Sequence, residues 1–134
     1  MPGRSVHCRI VTPQGPALDI EARSIMLPAH DGLIGVLPGH APLLTQLIPG
    51  VVRYTDQDNH RGFMFVSGGF AQIAQDELLI LAEEALTREQ TAVSYPQQQL
   101  LDARAMPART AAQVEARDRA MQRARQLVAL TEMH

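Results

Sequence analysis

Up to about residue 86, apolar side chains recur every second residue in short runs, the period of a half-buried strand. "VHCRIV" (6–11) alternates and ends at Thr12-Pro13-Gln14-Gly15, a turn composition. "ALDIEARSIMLP" (17–28) predicts one or two strands, and "GVVRYT" (50–55), "GFMFV" (62–66), "FAQIA" (70–74) and "LLILA" (78–82) predict one each. "DQDN" (56–59) reads as a polar loop and "QDE" (75–77) as a turn. Ser67-Gly68-Gly69 reads as the turn of a hairpin between its two flanking strands. Short strands at near-regular spacing predict a mainly β N-terminal sandwich or flattened barrel.

After Leu86 the period changes to that of a helix. Ser94-Tyr95-Pro96-Gln97 fits a capping box with proline in the first turn, and predicts a short helix to about Ala105. Met106-Pro107 ends it. Thr110 and Gln113 form a second capping-box pattern before a longer helix over 111–130. That helix carries a stripe of Val114, Met121 and Val128 with Ala120, Ala124 and Leu127. Its other face carries Arg119 and Arg123, with Arg117 and Arg125 nearby, and Glu115 stands four residues before Arg119. Small alanine side chains bury little area, so the seam is expected to hold weakly. The predicted organisation is a β domain over residues 1–86 and an α-helical hairpin over 87–134, loosely attached.

Length and composition narrow the class. A chain of 134 residues buries enough apolar surface to fold without a disulfide staple. Cys8 is its only cysteine, which excludes a disulfide framework or a multi-cysteine zinc site and suits a reducing compartment. There is no apolar run of membrane-spanning length and no signal-peptide apolar region near the start, so the expected location is the cytosol or a cytosol-like membrane face. The net charge of −2 argues against a nucleic-acid binder. Residues 1–86 hold five arginines against nine acids, and residues 87–134 hold seven against five.

The residues offer little catalytic chemistry. His30 and His40 have no third ligand at a zinc-like spacing, and His7 and His60 are isolated. Ser67 lacks the flanking glycines of a nucleophile elbow, and without a lysine there is no phosphate-binding P-loop. Glu83-Glu84 reads as a solvated pair. The expectation is therefore no catalytic residue, no metal and no cofactor. The unusual stretch is "DGLIGVLPGHAPLLTQLIPG" (31–50), apolar yet broken by four glycines and three prolines. Either His40 does chemistry or the whole stretch is shaped for docking, and the missing ligand partners favour a packed, structural His40.

That stretch, with "RIVTPQGP" (9–16) before it and "FMFVSGGFAQIAQDELLILAEEA" (63–85) after it, resembles the epsilon subunit of bacterial F-type ATP synthases, the counterpart of the mitochondrial delta subunit. The resemblance covers nearly all of residues 6–86 and is looser beyond, mainly through "RDRAMQRARQL". It implies a β-sandwich followed by a helical hairpin. It also implies a non-catalytic rotor subunit of the central stalk, peripheral on the cytoplasmic face of the inner membrane. The implied partners are the gamma subunit, the ring of c subunits and, through the hairpin, the alpha/beta catalytic hexamer, whose ATP hydrolysis the hairpin can restrain. Carried over by position, Gly39, His40, Ala41, Pro42 and Leu43 face gamma, and Asp31, Gly32 and Leu33 face the ring. Arg119 and Arg123 are the expected contacts to the catalytic subunits.

Two departures matter. Leu33 stands where many members carry an acid. "LDARA" (101–105) has one residue between Asp102 and Arg104 where nucleotide-binding members have two, which rotates Arg104 by about 100° on a helix. Nucleotide binding is therefore not implied. Two other classes fit the residues alone: a stand-alone regulator using the arginine-rich helix, and a small β-sandwich enzyme. The second is disfavoured because no nucleophile, base and metal set converges.

Overall fold

The computed structural model describes residues 4–133. Nine strands precede three helices. They are β1 (Val6–Thr12), β2 (Gly15–Ala29), β3 (Gly32–Val36), β4 (Leu43–Gln46), β5 (Gly50–Asp56), β6 (Arg61–Ser67), β7 (Phe70–Ala74), β8 (Glu77–Leu81) and β9 (Glu84–Thr87). The helices are α1 (Arg88–Val93), α2 (Pro96–Arg104) and α3 (Ala111–Thr131).

The strands run in the order β4-β7-β8-β1-β2-β5-β6-β9, with β3 also on β2. The 15-residue β2 joins the two halves. Its first part pairs with β1, and its second part pairs with β3 on one edge and β5 on the other. The inward side chains of both halves meet in one core containing Val6, Cys8, Ile10, Ile25, Leu27, Val52, Ile73, Leu78 and Ile80. The alternation in each run places these residues on the inner face. Burial pushes the Cys8 thiol up to about 12, so it stays neutral and packs as a small apolar group.

Ser67-Gly68-Gly69 is not a hairpin turn, because β6 and β7 do not pair. β6 lies between β5 and β9, and β7 between β4 and β8. The three residues instead carry the chain from one half of the sheet to the other. Ala82-Glu83 returns it beside them, and the Glu83 N–H donates to the Ser67 carbonyl at 3.1 Å. Both glycines have positive φ, +69° at Gly68 and +97° at Gly69, which only glycine adopts freely.

The helical part also departs from expectation. A short helix, α1, precedes the two predicted ones, and its cap is Thr87, whose side chain accepts from the Gln90 N–H in a capping box. Ser94 closes α1 and donates to the Thr91 carbonyl at 2.6 Å, so it does not cap α2. Tyr95 occupies that place in a left-handed conformation, with no side-chain cap. The predicted Thr110–Gln113 box is present on α3. The strand β9 runs through the expected division between residues 86 and 87.

The seam of α3 is shifted toward its end. Ala124 and Leu127 of the predicted stripe are buried, with Leu130 beyond it, whereas Val114, Met121 and Val128 are only half-buried. Leu127 and Leu130 pack on Val51 and Phe65, on the face of β5 and β6 turned away from the main core. Phe65 is fully buried there. The sandwich thus has a second, smaller apolar layer that only the helices cover.

Candidate docking surface

Asp76 organises the Gly39–Leu43 segment. It sits with Gln75 in the β7–β8 turn, both at positive φ, and its Oδ1 accepts the Gly39 N–H at 2.6 Å. Its Oδ2 accepts from Arg4 Nη2 at 3.4 Å. The Gly39 bond, reinforced by Arg4, holds the Asp76 carboxyl below its usual range. Gly39 can present its N–H there because it adopts φ +87°.

His40 follows, half-buried. Its N–H donates to the Leu37 carbonyl at 3.1 Å. Its Nδ1 lies 2.6 Å from the Ala41 carbonyl, which can only accept, so Nδ1 carries the proton. These bonds are local; they shape the loop rather than tie it into the core. Ala41 and Pro42 are exposed, while Leu43 turns inward against the main core.

The next strand carries the loop onto an apolar face. Leu44 is 68% exposed, Phe70 52% and Leu81 50%. Phe70 pairs with Leu81 and Leu81 with Val11, forming a row across β7, β8 and β1. Leu44, Gln72, Leu79 and Arg9 form the adjacent row. Leu37, 59% exposed, lies in the loop at its side. The stretch 31–50, which contains Leu44, is singled out in the sequence, with residues 39–43 assigned through the family resemblance, but Phe70 and Leu81 are not singled out. "FAQIA" and "LLIL" are apolar on both faces, so alternation alone does not say which side meets solvent.

The other predicted residues lie elsewhere. Asp31, Gly32 and Leu33 form the exposed tip of the β2–β3 hairpin, with Leu33 67% exposed. Arg119 is exposed on α3. Arg123, four residues on, faces inward. Its Nε and Nη2 donate to both oxygens of Glu84 on β9 at 3.0 and 2.6 Å, and its Nη1 donates to Gln99 Oε1 on α2 at 2.6 Å. Its guanidinium also lies 5.7 Å from the centre of the Phe65 ring. Glu84 is therefore half of a clasp between sandwich and helices rather than a solvated carboxylate.

Two histidines read as isolated have acidic neighbours. Asp56, Asp58 and His60 bring ligand atoms within 4.8 Å of one another on an exposed turn. Asp56 Oδ1 already accepts the N–H groups of Asp58 and His60, so this arrangement shapes the turn. His7 Nε2 lies 2.6 Å from Asp19 Oδ1, and that bond, then the charges of Asp19 and Glu21, raises its pKa above 6.5 against the opposing effect of partial burial. A raised folded pKa contributes stability that is full below about pH 6.5 and is lost as pH rises through the folded value. Melting temperature should therefore fall shallowly as pH rises above this value, and His7→Gln should flatten that slope. An unchanged slope in the variant would assign it to another group.

The fold is thus a β-sandwich with a helical appendage that exposes an apolar sheet face. Comparison with known proteins gives the family. Residues 5–88 match the family described as ATP synthase, Delta/Epsilon chain, beta-sandwich domain. The chain is 38% identical over 94 residues to the ATP synthase epsilon chain of Moorella thermoacetica, covering 70% of each chain. It is 36% identical over 121 residues to that of Rhodopirellula baltica, covering 90% of this chain and 94% of the relative. Among solved structures, a chain of the Euglena gracilis mitochondrial ATP synthase OSCP/F1/c-ring assembly has the same fold, with a TM-score of 0.84 at 22% identity. That superposition covers 96% of this chain and 82% of the other. The chain belongs to the ATP synthase delta/epsilon family. No helix among the described residues is long and apolar enough to cross a membrane.

Proposed function

We propose that the protein is a non-catalytic central-stalk subunit of an F-type ATP synthase, peripheral on the cytoplasmic face of the inner membrane. In this reading it links the gamma subunit to the ring of c subunits and couples ion transport to ATP synthesis. The observation that carries it is the exposed apolar face of Leu44, Phe70 and Leu81 beside the Gly39–Leu43 loop. Gamma covers this face, and a few well-packed anchors near the centre of such an interface carry most of the binding energy. The β2–β3 tip at Asp31, Gly32 and Leu33 meets the ring.

The hairpin reaches the alpha/beta subunits through Arg119 and restrains hydrolysis. Arg123 joins it only after leaving Glu84 and Gln99, so the docked and extended arrangements compete for the same guanidinium.

Phe70→Asp with Leu81→Asp should weaken gamma binding by 100-fold or more, since anchors of this kind are worth about 2 kcal/mol each. The two residues stand opposite each other on β7 and β8, so the introduced carboxylates repel and should lower the melting temperature modestly, and binding is read at a temperature where the isolated variant is folded. Leu101→Asp, on the exposed side of α2, serves as the control and should bind normally. Undiminished gamma binding by the double variant would move the interface elsewhere.

A further inference from the structure

A cavity of about 400 Å³ opens on the outward face of β2, β5 and β6, beside the end of α3 at Met133. Strand register determines what lines it. Met26 stands opposite Arg53, Arg53 opposite Phe63, Ser24 opposite Thr55 and Thr55 opposite Arg61. The two arginines are therefore diagonal neighbours on adjacent strands, within reach of one bound group. No carboxylate lines the cavity. Among the described residues, neither Arg53 nor Arg61 makes an ion pair.

The cavity that the two arginines line is part apolar and part hydroxylic. Met26, Phe63 and Met133 continue the layer that Leu127 and Leu130 cover farther along the same sheet face. Ser24 and Thr55 add hydroxyl donors. A bound anion reached by both exposed arginines would be neutralised by their charges without competition from an acid of the cavity. Planar guanidinium forks match phosphate and carboxylate oxygens. Methionine adapts to flat apolar groups, and the volume suits a small organic molecule.

We infer that this cavity binds a small organic anion, with its phosphate or carboxylate on Arg53 and Arg61 and its apolar body against Met26 and Phe63. The site is separate from the proposed gamma face, which lies on the outward side of β4, β7 and β8. It does not use the Asp102–Arg104 segment of α2.

The test uses the full chain with 1-naphthyl phosphate, 1-naphthoate and inorganic phosphate as probes, read by calorimetry and by NMR shift mapping. Saturable binding of one or both naphthyl probes is expected, with shifts centred on residues 24–26, 53–55 and 61–63. The preferred probe identifies the head group. Inorganic phosphate should bind at least tenfold more weakly. Arg53→Gln with Arg61→Gln should weaken the preferred probe at least tenfold while leaving the melting temperature in place, since both side chains are exposed. Met26→Ser should weaken the naphthyl probes but not inorganic phosphate. The inference is overturned if neither naphthyl probe saturates by millimolar concentration, or if the double variant binds as well as wild type. Equal affinity for inorganic phosphate and the naphthyl probes would also overturn it, because the apolar wall would then contribute nothing.

Discussion

Gly69→Ala lowers the stability of the folded chain by about 3 kcal/mol or more, the largest loss expected from any single methyl group here. An added Cβ would lie 1.8 Å from the Leu81 carbonyl oxygen and 2.8 Å from its carbon, and φ is +97°. Neither side can give way cheaply. The Gly69 carbonyl accepts the Leu47 N–H at 3.0 Å, and β8 is paired on both edges, with β7 and β1. Gly68→Ala is the informative comparison. Its φ of +69° is also left-handed, but the nearest atoms, at 2.9 Å, belong to the flexible Glu83 side chain. That substitution should cost only about 1–2 kcal/mol. Denaturant melts of the two variants separate a crossing of backbones from a merely permissive turn. Equal losses at both positions would show that the close approach to Leu81 contributes nothing.

Leu127→Ala should cost about 2–5 kcal/mol, and the loss should fall on the docking of the helices rather than on the sandwich. Leu127 is fully buried, yet it packs against the small cluster of Val51, Phe65 and Leu130, apart from the core between the two halves of the sheet. Hydrogen exchange would read this directly. Amides of α3 should lose protection while those of β1 and β8 keep theirs. Arg123→Ala should act in the same direction by about 1–3 kcal/mol, since it removes charged hydrogen bonds to Glu84 and Gln99 that are only partly shielded from water. A fragment of residues 1–86 should still melt cooperatively, at a lower temperature than the full chain because Phe65 loses its cover. Simultaneous loss of protection in α3 and in β1 after Leu127→Ala would mean that the chain unfolds as one unit.

The two substitutions bear differently on what could be read beforehand. The glycines at 68 and 69 announce a sharp change of direction, but hairpin and crossover have the same composition there. What separates them is whether β6 pairs with β7, which depends on strands distant in sequence. Similarly, the alanine-rich stripe identified the buried side of α3, with Leu127 on it. The burial of Leu130 and the placing of Arg123 over Phe65 depend on where the helix ends over the sheet. The pairing of Arg119 with Arg123 by spacing placed both on one solvated face. The structure divides them, because Glu84 supplies a partner within reach of only one.

The sequence by itself determined β1, β2, β5, β6, β7 and β8, a change from strands to helices in the region of residue 86, and the family, while β3, β4 and β9 were not separated out. Period and turn composition are local properties, and Leu-Pro-Gly-His-Ala-Pro-Leu-Leu at 37–44 is a distinctive string. Even the missed helix α1 had a local signature, Thr87 three residues before Gln90. Only the tertiary structure decided strand order, the apolar face of Leu44, Phe70 and Leu81, the Arg123–Glu84 clasp and the cavity at Arg53 and Arg61. Each joins residues far apart in the chain. A two-residue period says that side chains alternate, but not which strand lies alongside, nor which of two apolar faces is buried.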